Sequence, residues 1–165
     1  MLGGWIRTAA VLALALLPPT GPAAATADLV VIEKAARRMT LQSGGAVLRA
    51  YDVALGRQPQ GPKRREGDGR TPEGRYVIEA RNSASKYHLA LRISYPDADD
   101  RARAAALGAS PGGAIMIHGL PRDMGWVGPS HRETDWTEGC IAVTNQEMDE
   151  IWRLVPIGTP IEIRP

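Results

Sequence analysis

From Asp28 onward, apolar and polar residues alternate in short runs broken by glycine, the pattern of half-buried strands. LVVIEK (29–34), RRMTLQ (37–42) and AVLRAYDVAL (46–55) carry β-branched or alternating apolar residues, and Ser43-Gly44-Gly45 between the second and third is a hairpin signal. These runs predict an antiparallel meander. RYVIEA (75–80) and YHLALRISY (87–95), separated by turn-forming Asn82 and Ser83, predict two further strands. AIMIHG (114–119) is a short apolar run ending on glycine, as a buried strand does; IAV (141–143) is another, and TPIEIRP (159–165) closes the chain with alternation.

Two segments have helical spacing instead. DADDRARAAAL (97–107) offers Asp97 or Asp99 as a cap, acidic residues in its first turn, an alanine-rich body and Gly108 as its stop. In TNQEMDEIWRLVP (144–156), Thr144 and Glu147 stand at capping-box spacing. Met148, Ile151, Trp152 and Val155 share one face, and Pro156 ends the helix. With no internal repeat, the expected fold is one domain, mainly β with a few helices.

Residues 56–74, GRQPQGPKRREGDGRTPEG, have no such period. Arg57, Lys63, Arg64, Arg65 and Arg70 are set there against Glu66, Asp68 and Glu73. A charge run is ordinarily a solvated connection. A loop this long in a small domain is more often functional, which leaves open that its basic side chains face an anionic substrate.

Composition narrows the class. At 165 residues, 44% hydrophobic and 23% charged, the chain suits a single globular domain, and a net charge of +2 is too small to point to nucleic acid. Residues 1–27 carry Arg7, an apolar run from Ala9 to Leu17, then Pro18 and Pro19, and end on the small-residue sites Ala23-Ala24-Ala25 and Ala25-Thr26-Ala27. That is the layout of a cleavable secretory signal. The apolar run falls short of the about 20 residues a spanning helix needs, so no stable membrane insertion is expected after cleavage. Residues 28–165 are then an exported domain of the periplasm or cell envelope. The three histidines and one cysteine lack zinc-site spacing, and no metal is expected.

The lone cysteine, Cys140, is the sharpest chemical candidate. Buried packing, a stray thiol or an intermolecular disulfide would each explain it, and so would a nucleophile. For the last, the thiol needs a base, because an ordinary cysteine is only a few per cent thiolate at pH 7. His118 stands where a buried strand hands over to a loop at Gly119, well placed to present its ring. Gly139 allows close backbone approach, so N–H groups at Gly139 and Cys140 could face a substrate oxyanion. Ser110, Ser130 and Thr137 lack a nucleophile-elbow context. Glu138 is either an acid–base group or a solvated carboxylate, His131 a second base or an exposed loop residue. Trp126 and Trp136 are either minor core or the wall of a substrate groove.

IMIHG (115–119) followed by WTEGCIAVTN (136–145) resembles the signature of YkuD-type L,D-transpeptidases, a His-Gly pair followed by a Ser/Thr-x-Gly-Cys box. GDGRTPEGRYVI resembles the family's T-P-x-G segment, and TPIEI its last strand. The resemblance implies an L,D-transpeptidase-like β-sandwich over residues 28–165, with the capping-box helix after the cysteine. It implies that Cys140 attacks the diaminopimelate carbonyl of a peptidoglycan tetrapeptide stem and expels D-alanine. His118 would be the base and Gly119 would orient its ring, while Gly139 and Cys140 would line the oxyanion hole. Trp126, His131, Thr137 and Glu138 would contact substrate. An amine acceptor would resolve the thioester in cell-wall cross-linking. The protein would act as a monomer on peptidoglycan stem peptides without a cofactor. Two alternatives stand beside this: a carboxypeptidase or amidase that gives the same acyl-enzyme to water, and a non-catalytic wall-binding domain. The chain departs from the family pattern at Glu138, where histidine is usual, and at Ala142, where arginine or asparagine is common.

Overall fold

The structure, a computed structural model, describes residues 25–165. Most of the expected leader therefore lies outside the described residues. Eight strands follow in chain order: β1 (Leu29–Glu33), β2 (Arg38–Ser43), β3 (Ala46–Asp52), β4 (Gly74–Asn82), β5 (Ala90–Ile93), β6 (Met116–His118), β7 (Ile141–Ala142) and β8 (Pro160–Arg164). Helix α1 (Ala98–Ala106) precedes β6, and α2 (Asn145–Leu154) follows β7.

The strands form one sheet in the order β3-β2-β1-β8-β4-β5-β6-β7. β1–β8 and β6–β7 are parallel and the other pairs antiparallel. The sheet curls until its ends meet. Past β3, Ala54 exchanges backbone hydrogen bonds with Ala142 of β7, at 3.0 and 2.9 Å. Its two halves enclose a single core in which Ile32, Leu41, Ile78, Leu91, Ile117 and Ile141 are fully buried, giving the sandwich that the resemblance implies.

Helix α2 seals that core with the face its spacing predicts: Met148, Ile151 and Val155 are buried and Trp152 packs partly beside them. Thr144 and Glu147 form the expected capping box. In α1 the cap is Asp97, and the first-turn Asp100 is itself buried, accepting the Tyr76 hydroxyl at 3.0 Å.

Three segments differ from the pattern. The run 87–95 is strand only from Ala90 to Ile93: His88 has φ of 55°, outside strand geometry, and Tyr87 packs on the His118 ring. The run 46–55 leaves β3 after Asp52 to reach β7. Residues Gly125–Glu133, expected as loop, wind into 3₁₀ turns broken at Gly128, whose φ of 54° lies in the left-handed region.

Candidate active site

Strands β6 and β7 place the two leading candidates together. Ile117 pairs with Ile141 and His118 with Ala142 in parallel register. By that register Cys140, the residue before β7, falls opposite Met116, two residues along the ladder from His118. With strands about 4.8 Å apart and a rise of about 3.3 Å per residue, the Cα atoms of His118 and Cys140 fall about 8 Å apart. In this structure Sγ bonds to the Ala114 carbonyl rather than to the ring.

The His118 ring is fixed from several directions. Its Nδ1 lies 2.7 Å from the carbonyl oxygen of Gly119, which can only accept, so Nδ1 carries the proton and Nε2 is left bare as a base. The Tyr87 ring stacks at 4.5 Å and the Trp136 ring meets it edge-on at 5.8 Å. His118 is 2% exposed, and burial pushes its pKa below the ordinary histidine value, against a smaller opposing effect of the Gly119 carbonyl.

Cys140 is half-buried, and its Sγ donates to the carbonyl of Ala114 at 3.7 Å. Burial pushes the thiol up, while the Met116 N–H and the Lys63 ammonium pull it down by less. With the thiol raised and the imidazole lowered, both groups rest neutral at pH 7. Alkylation of Cys140 by iodoacetamide is therefore expected to keep accelerating with pH beyond the range of an ordinary cysteine, about 8.5. A rate already on its plateau at pH 7 would instead reveal a preformed thiolate.

The turn that presents Cys140 is held by Thr137, 4% exposed. Its hydroxyl accepts the Gly139 N–H at 3.0 Å and donates to the Cys140 carbonyl at 2.8 Å. Gly139 has φ of +133°, and a Cβ there would lie 2.5 Å from the Arg70 carbonyl oxygen, so only glycine fits. That contact seats the upstream R-T-P-E-G segment against the cysteine turn. Thr71 Oγ1 accepts the Gly56 N–H at 3.0 Å, and the Thr137 N–H and carbonyl bond to Leu55 O and Arg57 N, at 3.1 and 3.0 Å. Three backbone stretches thus lie against one another beneath the cysteine.

Asn145, which opens α2, is a site residue that the pattern did not reveal. Its Oδ1 accepts the Leu120 N–H at 2.8 Å, and a Cβ on Gly119 would lie 2.6 Å from the same oxygen. Asn145 thereby pins the turn whose carbonyl orients His118. Its only trace in the sequence is its place beside the capping residue Thr144. Asn145→Ala is expected to lower kcat about tenfold with KM within about twofold, the signature of a misplaced base. An unchanged kcat in steady-state assays would show that the turn holds without it.

The other candidates are placed as follows. A cleft of about 340 Å³ at Cys140 is lined by Lys63, Glu66, Gly112, Ala114, Ile115 and Glu138 among others. Glu138 stands on its rim in an ion pair with Arg57. His131 is buried rather than exposed: Trp136 Nε1 donates to its Nδ1 at 3.4 Å, and burial, with the adjacent Arg132 charge, pushes its pKa down to about 4. It therefore supports Trp136, which in turn packs on His118, and it lines a neighbouring cavity of about 280 Å³. Trp126 is 84% exposed and lines neither cavity.

A family model for the YkuD L,D-transpeptidase catalytic domain matches residues 27–163. The chain is 35% identical over 112 residues to YafK of Escherichia coli (strain K12), an alignment covering 66% of this chain and 37% of that protein. Among solved structures, it is similar to the helical cell shape determining protein Pgp2 of Campylobacter jejuni, with TM-score 0.59 and 26% identity, over 82% of this chain and 46% of that one. An L,D-transpeptidase of Mycobacterium smegmatis shares the fold at TM-score 0.55 and 18% identity, over 83% of this chain and 58% of that one. The chain thus spans well under half the length of the curated relative it matches.

Proposed function

The chain belongs to the YkuD family of L,D-transpeptidase catalytic domains, and from that starting point we propose that it is a cysteine acyltransferase acting on peptidoglycan peptide stems. The observation that carries this reading is the parallel register of β6 and β7, which sets Cys140, just before β7, beside the strand that ends on His118, with the His118 ring held in the tautomer of a base. As Cys140 Sγ bonds to the diaminopimelate carbonyl carbon of a tetrapeptide stem, His118 Nε2 takes the thiol proton. The carbon–nitrogen bond to D-alanine then breaks, and His118 returns the proton to the departing amine. An incoming amine attacks the thioester, loses its proton to His118 and frees the thiol. For the oxyanion we assign the N–H of Cys140, since that of Gly139 is already given to Thr137. One such donor is worth about 3 kcal/mol in the transition state.

Peptidoglycan places the work in the periplasm or cell envelope. The likeness to a helical cell shape determining protein supports a role in wall remodelling that sets cell shape. Glu138, which lines the Cys140 cleft while paired with Arg57, supports a second outcome for the same acyl-enzyme: a carboxylate in the cleft can draw a proton from water as well as from an amine.

Purified tetrapeptide muropeptides, incubated with and without a D-amino acid acceptor, test both. Release of D-alanine with dimers or exchanged stems is the expected result, and shortened stems alone would assign hydrolysis. Stems that remain intact in both reactions would sink the acyltransferase reading.

A further inference from the structure

The long basic loop has a defined shape beside the cleft. Asp68 organises it: its carboxylate accepts the backbone N–H groups of Arg64, Arg65 and Arg70 at 2.8, 3.1 and 3.0 Å, and the Lys63 ammonium at 2.8 Å. The carboxylate is thus engaged by backbone and by Lys63, and among the described residues the guanidinium groups of Arg64, Arg65 and Arg70 have no carboxylate partner. Arg64 and Arg65 are exposed and Arg70 is half-buried. The three surround a trough of about 410 Å³, lined also by Gln58, Gly67, Asp68 and Leu107.

Gly67 lines both this trough and the Cys140 cleft, so the two hollows adjoin. Lys63, 4% exposed, stands on the cleft side. Of the acidic groups at the cleft, Glu138 is paired with Arg57, which leaves Glu66 as the one without a cation partner among the described residues. The loop is also anchored across the cleft mouth, where the Glu66 N–H donates to the Ser110 carbonyl at 2.7 Å. Arg70 Nη1 donates to the Pro62 carbonyl at 3.4 Å, so a fixed loop with the Arg64 and Arg65 guanidinium groups unmatched is prepared to take an anion without first ordering itself.

We propose that this trough is a carboxylate subsite, in which Arg64 and Arg65, with Arg70, hold a carboxylate of the peptide substrate that lies away from the carbonyl attacked by Cys140. The identity of the peptide rests on the acyltransferase reading above. Besides the carboxylate of the departing D-alanine, which sits close to the attacked carbonyl, a tetrapeptide stem offers two such groups, the free α-carboxylate of its γ-linked glutamate and the second carboxylate of diaminopimelate. Both share the planar, two-oxygen geometry that a guanidinium fork matches.

The double variant R64A/R65A, altering two exposed side chains, tests the subsite in two ways. Cys140 is first alkylated with iodoacetate, an anion, and with iodoacetamide, its neutral counterpart. The rate ratio of anion to neutral reagent is expected to fall about threefold in the variant, and also in the wild type when salt rises from about 20 mM to about 500 mM. A ratio indifferent to both changes would overturn the proposal whatever the enzyme's substrate. The second assay compares three stems: free acid, amidated on glutamate, and amidated on diaminopimelate. The variant is expected to raise KM for the free acid about tenfold with kcat within about twofold. The amidated stem on which the variant and the wild type agree identifies the carboxylate that is held. No KM penalty on the free acid, or an equal penalty on all three stems, contradicts the subsite. If the wild type turns over none of the stems, the substrate reading fails, and the alkylation ratio alone decides whether the trough gathers anions.

Discussion

Cys140→Ala is expected to lower D-alanine release from a tetrapeptide stem by about 10⁴-fold or more, to the background of the assay. The reasoning is structural as well as chemical. The chain has one cysteine, and it lines the cleft beside the strand that ends on His118. The hydroxyls nearest in sequence have other duties: Thr137 is committed to the Gly139 N–H and the Cys140 carbonyl, and Thr144 to the capping box of α2. Removing one sulfur leaves the backbone around it intact, since the turn is held by Thr137 and by the close approach of Gly139 to Arg70. The variant should therefore fold like the wild type, which its circular dichroism and melting curve would report. A folded Cys140→Ala protein that still releases D-alanine at more than about a hundredth of the wild-type rate would move the nucleophile elsewhere.

The second large effect is expected at His118. Because burial raises the thiol and lowers the imidazole, the base must take a proton that the thiol gives up reluctantly. His118→Gln removes it and is expected to reduce kcat about 10³-fold at pH 7, with KM less affected. The pH profile gives the sign. In the wild type the neutral imidazole is the active form, and its pKa lies below the ordinary value, so activity should persist through pH 6.5 and fail only in more acid solution. In the variant no base remains, and the rate should climb about tenfold per pH unit toward the raised pKa of the thiol. Matching acid limbs in wild type and variant would show that His118 is not the group whose protonation stops the reaction.

Much of this was readable from residues alone, and the reason is periodicity. The alternation of LVVIEK and PIEIR, the face made by Met148, Ile151 and Val155, and the paired signals Thr144–Glu147 and Ser43-Gly44-Gly45 are local, and local physics decides them. The His-Gly and Gly-Cys pairs point to chemistry in the sequence itself, because few residue types activate a thiol. What was hidden depends on contacts between distant segments. Nothing in β1 announces that it lies parallel to β8, or that Ala54 will reach Ala142 and close the sheet behind Cys140. Asn145 looked like any first residue of a helix, because its task is performed on Leu120 and Gly119. Gly125–Glu133 carries Gly128 and Pro129, so it reads as loop although it coils into short turns. Asp68 looked like one charge among many, and only the folded loop shows four donors converging on it.

The central claim is that Cys140 forms a covalent acyl-enzyme, and intact-mass spectrometry after incubation with a carbapenem addresses it directly. Sulfur attack opens the lactam ring without losing any atoms, so the wild type should gain the mass of one carbapenem. Peptide mapping should place that mass on the segment carrying Cys140, and Cys140→Ala should gain nothing. A wild-type protein that stays unmodified, or a Cys140→Ala protein that is modified equally, would contradict the account.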